Sequence, residues 1–193
     1  MKPLPEIERY TYEDYYAWDD GKRYELIDGA VRLMSPAPAP KHQAVQGGIF
    51  SQLDTFLNGR RCAVFQAPFD VRLNPDGADD TVVQPDILVV CDLSKIDKRG
   101  LKGAPDMIVE ITSPSTASYD RVTKFNKYLE AGVLEYWIVD PDSKSVAACV
   151  LKDGNYIIKA YGESDEAPVS VLEGCVIKLS QAFDRARLFF FED

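Results

Sequence analysis

The sequence predicts a mixed α+β fold: a single α/β domain over residues 1–193, built on a mixed sheet flanked by helices and carrying extra β-hairpins. Three observations lead there. Short segments of period two, such as residues 24–33, are bounded by turn dipeptides; amphipathic stretches with helical spacing lie between them; and the order runs helix, strands, helix, strand. A chain of 193 residues fits one domain and is long enough to bury ~70% of its unfolded surface. It contains no internal repeat and no long linker.

Thr11-Tyr12-Glu13-Asp14 has the form of a capping box and opens a short helix ending near Gly21. Tyr24 to Leu33 reads as a hairpin turning at Asp28-Gly29. Pro36-Ala37-Pro38-Ala39-Pro40 is a stiff connector. After it, Ala44, Val45, Gly48, Ile49, Leu53, Phe56 and Leu57 recur at helical spacing until Asn58-Gly59 stops the helix. Strands are expected around residues 63–66, 69–73 and 85–91, with Asn74-Pro75-Asp76-Gly77 turning between the last two. A basic loop with Lys95, Lys98, Arg99 and Lys102 leads to an apolar strand at Met107 to Ile111, which Ser113-Pro114-Ser115-Thr116 ends. A helix from about Ala117 to Ala131 closes at Gly132; the strand Glu135 to Val139 stops at Asp140-Pro141. A hairpin turning at Lys152-Asp153-Gly154-Asn155 follows, then a helix-like tail to Phe191. That tail, with Leu188-Phe189-Phe190-Phe191, either packs on the domain or joins two copies in a homodimer.

The formal net charge of −9 argues against a generic nucleic-acid coat protein, whose affinity comes from clustered Lys and Arg, but it does not exclude a nuclease. Cys62, Cys91, Cys149 and Cys175 form no Cys-x-x-Cys pair and have apolar neighbours, so reduced, buried thiols are expected, and with them a cytoplasmic protein. The N-terminus lacks the apolar core of a signal peptide. No apolar run approaches the ~20 residues that span a bilayer, so no membrane partner is expected.

Two carboxylates interrupt apolar strands: Asp86 within Val82 to Val90, and Glu110 within Met107 to Ile111. An ionised carboxylate inside a sheet is costly unless a cation, a metal or several donors compensate it, which suggests a shared charge-binding site. On the helix that follows Glu110, Asp120, Lys124 and Tyr128 stand at i, i+4 and i+8, so Lys124 can fold back over the carboxylates. Glu25 adds an acid in an early strand. Oxygen donors of this kind suit Mg²⁺ or Mn²⁺ rather than zinc. The plainer alternative is that Asp86 caps a turn after Pro85 and Glu110 forms a buried salt bridge with Lys124. Of the remaining polar groups, His42 is the only histidine and opens a helix; Tyr10, Tyr12, Tyr15, Tyr16 and Trp18 serve either base stacking or helix packing.

The chain resembles the Uma-two family, a group assigned as endonucleases within the PD-(D/E)XK restriction-endonuclease-like superfamily. The resemblance covers most of the chain. It rests on Tyr24-Glu25-Leu26-Ile27-Asp28-Gly29, Ser35-Pro36 followed by His42, Gln84-Pro85-Asp86-Ile87, residues 109–116, Asp120, Lys124 and Tyr128, and residues 131–141 through Glu135-Tyr136-Trp137-Ile138-Val139-Asp140-Pro141. It implies a restriction-endonuclease-like fold and metal-dependent hydrolysis of phosphodiester bonds in nucleic acid, DNA before RNA. By resemblance, Asp86 and Glu110 are metal ligands, joined by the Ile111 backbone carbonyl, with Glu25 an accessory acid and Lys124 the catalytic lysine. One position departs from the superfamily pattern: Thr112 stands where the named motif carries its lysine. Gln84, Thr112, Arg121, Lys127 and His42 are candidate substrate contacts. The expected chemistry is metal activation of water and neutralisation of the scissile phosphate, with Lys124 orienting that water or stabilising developing charge. Two other classes remain open at this point: a nuclease-fold nucleic-acid-binding or regulatory module with little catalysis, and an interaction protein whose acids only pair with Lys124 and Arg121.

Overall fold

A computed structural model describes residues 9–34, 38–113 and 117–189. The Asp14 carboxylate accepts hydrogen bonds from the Thr11 amide (2.9 Å) and hydroxyl (2.8 Å), and this start opens helix α1 (Tyr12–Tyr16), shorter than the reading to Gly21. Most of the aromatic cluster packs: Tyr12 is fully buried, and Trp18 meets Tyr10, Tyr15 and Tyr24 edge-on, while Tyr16 is exposed. Strands β1 (Tyr24–Ile27) and β2 (Ala30–Leu33) form the expected hairpin, with Asp28 (φ 50°) and Gly29 (φ 78°) supplying the left-handed turn. The connector's first half lies outside the described residues. Helix α2 (Pro40–Leu57) begins with a proline in its first turn, where the missing amide hydrogen costs nothing.

Next come β3 (Ala63–Gln66), β4 (Val71–Arg72), β5 (Val82–Val83) and β6 (Ile87–Val90). The basic loop is itself a small hairpin, β7 (Ile96–Asp97) and β8 (Gly100–Lys102), entered by a 3₁₀ turn at Leu93–Lys95. Strand β9 (Met107–Ile111) carries Glu110. The helix predicted over 117–131 is broken into α3 (Ala117–Tyr119), a π turn (Asp120–Lys124) and α4 (Phe125–Ala131), which Gly132 closes at φ 80°. Strands β10 (Glu135–Asp140), β11 (Ser145–Lys152), β12 (Asn155–Gly162), β13 (Glu166–Pro168) and β14 (Val176–Lys178) follow, then α5 (Leu179–Asp184) and a 3₁₀ stretch (Arg185–Phe189).

The strands form two six-stranded sheets, not one. The main sheet runs β12-β11-β10-β9-β6-β3 and the second β2-β1-β5-β4-β8-β7, with β13-β14 a separate pair. Alternation along the central strands divides the core. Ile87, Val89, Met107, Val109, Trp137 and Val139 face α2 and α5, while Leu88, Val90, Ile108, Tyr136 and Ile138 face α4 and the second sheet. Both faces of β6, β9 and β10 are therefore apolar, which explains their near-continuous hydrophobic runs. Gly48 lets α2 approach α5: a Cβ there would lie 2.6 Å from the Ala182 Cα.

One expectation is corrected. Cys62 and Cys91 form a disulfide, whereas Cys149 and Cys175 are the buried free thiols foreseen. The pairing follows from register: Ala63 lies opposite Val90, so the next rung sets Cys62 against Cys91. The absence of close cysteine spacing in sequence could not show this, and the argument from reduced thiols to a cytoplasmic protein loses that support. No described helix is long and apolar enough to cross a membrane.

Candidate active site

The two sheets and α2 meet around a cavity of about 430 Å³. Its floor is an ionic cluster. Lys124, 4% exposed, places its Nζ 2.8 Å from Glu25 Oε1 and 2.8 Å from Glu110 Oε1, joining β1 of the second sheet to β9 of the main sheet. Tyr128, one turn further along α4, donates its hydroxyl to the same Glu110 oxygen at 2.6 Å. Burial, reinforced by the Glu110 charge, pushes the Tyr128 phenol far above its usual pKa, so it acts as a neutral donor. The i, i+4 spacing of Lys124 and Tyr128 thus delivers both groups to one carboxylate.

Asp86 stands just before β6. The register Ile87 to Val109, continued by one step, sets it opposite Glu110, so both residues belong to the same side of neighbouring strands and line the cavity. Asp86 Oδ2 accepts from the Ile111 amide at 2.8 Å and lies 3.2 Å from His42 Nε2. Its backbone carbonyl accepts from Gln46 Nε2 (2.8 Å) and the Ala67 amide (3.1 Å). Among the described residues, Asp86 Oδ1 has no hydrogen-bond partner.

A family model for "Putative restriction endonuclease" proteins, Uma2, matches residues 12–180. The chain belongs to the Uma2 family. It is 25% identical over 167 residues to the protein slr1290 of Synechocystis sp., covering 84% of each chain. Its fold matches the crystal structure of a "putative nuclease belonging to DUF820" from Anabaena variabilis with a TM-score of 0.74 at 21% identity, over 92% of this chain and 99% of that one. The restriction-endonuclease-like fold expected from the sequence is thereby established for this Uma2 chain.

The donors at this Uma2 site have the chemistry a hard divalent cation requires: an open Asp86 oxygen, the Glu110 carboxylate across the ladder, and Ile111 at the cavity wall. Among the described residues, no group of three His, Cys, Asp or Glu side chains could hold an ion unaided. Carbonyl and water oxygens must complete such a shell, which is the habit of Mg²⁺.

The structure distributes the other sequence candidates unevenly. His42 and Gln84 line the cavity. Thr112 does not: its amide and hydroxyl both donate to the Val139 carbonyl, at 2.8 and 3.2 Å, so it extends the sheet. Arg121 pairs with Asp140 at 3.3 Å, and Lys127 with Asp28 (2.9 Å) and Glu130 (2.7 Å); neither lines the cavity. The Asp120 side chain lies outside the described residues. Sequence reasoning missed Arg23, Arg32, Gln46 and Tyr119. Three of these carried a signal: Arg23 alternates with Glu25, Arg32 faces Glu25 across the hairpin, and Gln46 follows His42 by one helical turn.

Proposed function

We propose that this chain is a divalent-metal-dependent endonuclease that hydrolyses phosphodiester bonds, in DNA before RNA. The observation that carries the reading is the placement of Asp86, just before β6, and Glu110, on the neighbouring β9, at one cavity, with the Lys124 ammonium on Glu110. Asp86 and Glu110, with the Ile111 carbonyl, are the residues that would hold Mg²⁺ or Mn²⁺. When bound there, such an ion supplies a more acidic water and a positive charge for the scissile phosphate.

Each residue's part follows from its contacts. The Ile111 amide and His42 hold Asp86 through Oδ2, which leaves Oδ1 without a hydrogen-bond partner among the described residues. Lys124, itself buried, brings a preorganised positive charge where negative charge would develop on the phosphate. Glu25 holds Lys124 from the other side, and Tyr128 keeps Glu110 in place.

Supercoiled plasmid, linear DNA and RNA incubated with Mg²⁺, Mn²⁺ or EDTA test the reading. Cleavage that requires the metal and disappears in Asp86→Ala supports it; no cleavage of any substrate with either metal overturns it. One observation favours a second reading, a nuclease-fold binding module with little catalysis: the Glu110 oxygen is already engaged by both Lys124 and Tyr128. That module would retain nucleic-acid binding without cleavage.

A further inference from the structure

Arg23 and Arg32 enter the cavity from the β1-β2 hairpin. Arg32 lies directly across the ladder from Glu25, and Arg23 precedes Glu25 by two residues, so all three side chains share the hairpin face turned to the cavity. Neither arginine forms a salt bridge among the described residues. Arg32 instead stacks its guanidinium on the Tyr119 ring, 3.4 Å from the centroid. Arg23 donates Nε (2.9 Å) and one terminal nitrogen (2.6 Å) to Gln84 Oε1.

The Gln84 amide cannot be reversed. Its nitrogen donates to Asp70 Oδ1 at 2.8 Å and approaches the Tyr15 hydroxyl at 3.0 Å; a carboxylate accepts only, so the amide nitrogen must face Asp70 and the oxygen must face Arg23. Arg23 is thus aimed by a neutral acceptor that leaves its charge uncompensated. The Tyr119 hydroxyl is buried without a hydrogen-bond partner and also belongs to a cavity-lining residue. Burial and the nearby Glu25 raise its pKa, so it remains a donor. One wall of the cavity therefore carries three donor groups, Arg23, Arg32 and the Tyr119 hydroxyl, beside the Glu25 carboxylate.

We propose that Arg23 and Arg32, with the Tyr119 hydroxyl, form a phosphodiester-binding site that grips the nucleic-acid backbone beside the Asp86–Glu110 centre, with Gln84 positioning Arg23. The proposal rests on the nuclease reading above for its ligand. Planar guanidinium groups suit it: each can donate two parallel hydrogen bonds to phosphate oxygens, and stacking on Tyr119 restricts Arg32 before binding.

The test measures binding rather than cleavage. Fluorescence anisotropy follows a labelled 20-base-pair DNA duplex, and the RNA duplex of the same sequence, with the full chain in Ca²⁺ from 50 to 200 mM salt. Arg32→Gln and Arg23→Gln should each weaken binding and make the log–log salt slope shallower by about 1, the loss of one phosphate contact. Arg32→Lys, which keeps the charge but not the stacking fork, should retain the slope while losing part of the affinity. Gln84→Glu should act like Arg23→Gln on the slope, because a carboxylate there neutralises Arg23. Arg60→Gln deletes the same charge where Arg60 stacks on Phe56 outside the cavity, and should change neither quantity.

Thermal melts confirm that each variant is folded. Binding by the wild type that Arg23 and Arg32 variants lose, without cleavage in Mg²⁺, would keep the site and sink the nuclease reading. Cleavage by the wild type with unchanged binding in both arginine variants would do the reverse. No binding of either duplex by the wild type overturns the proposal.

Discussion

Glu25 and Glu110, from different sheets, each place an oxygen 2.8 Å from the Lys124 ammonium, so one buried cation answers two buried acids. Deleting it leaves both carboxylates uncompensated. Lys124→Met should therefore destabilise the chain by about 3–5 kcal/mol, the range for breaking a buried ion pair. Mn²⁺ should recover part of that loss, since a bound cation replaces the missing charge. Thermal melts with and without Mn²⁺ check this, and an equal loss in both conditions would count against the cluster as a cation site.

Lys124 and Lys127 separate catalysis from general charge. Lys127 is held by Asp28 and Glu130 outside the cavity, whereas Lys124 lies on its floor. Lys124→Ala should lower cleavage by ~10²-fold or more while Mn²⁺ affinity is kept or increased, and Lys127→Ala should leave the cleavage rate near that of wild type. Single-turnover rates at saturating substrate make the comparison. Equal losses would remove the catalytic role from Lys124.

The cysteines divide by reactivity. Burial pushes the Cys149 thiol up to about 12 and the Cys175 thiol up to about 11, so neither offers thiolate near neutrality. Iodoacetamide should label no cysteine in the native, oxidised chain, and only Cys62 and Cys91 after mild reduction of the folded protein. Peptide mass mapping reads the result. Labelling of Cys62 without a reductant would contradict the disulfide.

Glu135 gives a pH dependence of known sign. It is fully buried, and desolvation raises its pKa although Trp137 Nε1 (2.7 Å) and the Val171 amide (3.0 Å) donate to it. Below the ordinary glutamate range it is protonated in both states and contributes no pH dependence. As pH rises through that range toward the raised folded value, the unfolded chain releases its proton first, so stability falls. Denaturant melts should show wild type losing stability relative to Glu135→Gln just above pH 4.5 and running parallel to it at higher pH. Curves parallel throughout would refute the shift.

Gly48→Ala tests the packing that seats α2, and with it His42 and Gln46. The new methyl would press on the backbone of Ala182, so a loss of about 1–3 kcal/mol is expected, read as a lower melting temperature. An unchanged melting temperature would mean that α5 yields freely.

Local chemistry was legible before the structure, and tertiary partnership mostly was not. Thr11 and Asp14, the Asp28-Gly29 turn and the Gly132 helix end follow from rules spanning a few residues, and each stands where those rules put it. Lys124 and Tyr128 meet the same Glu110 oxygen because their i, i+4 spacing is also local. Residues 71–72 and 82–83 joined a second sheet because a two-residue strand carries too little periodicity to declare its neighbours. The Cys62–Cys91 bond depended on the register of β3 on β6, and the cavity arginines on which face of the hairpin met the main sheet. Thr112 kept its departure from the lysine motif, and the structure shows that residue serving the sheet instead.

Calorimetric titration of Mn²⁺ into wild type and Asp86→Ala tests the central claim most directly, because Asp86 Oδ1 has no hydrogen-bond partner among the described residues. The account predicts saturable binding to the wild type and its loss in Asp86→Ala, with the variant still folded by thermal melt. Equal Mn²⁺ affinity in the two proteins, or none in either, would contradict a metal centre at Asp86 and Glu110.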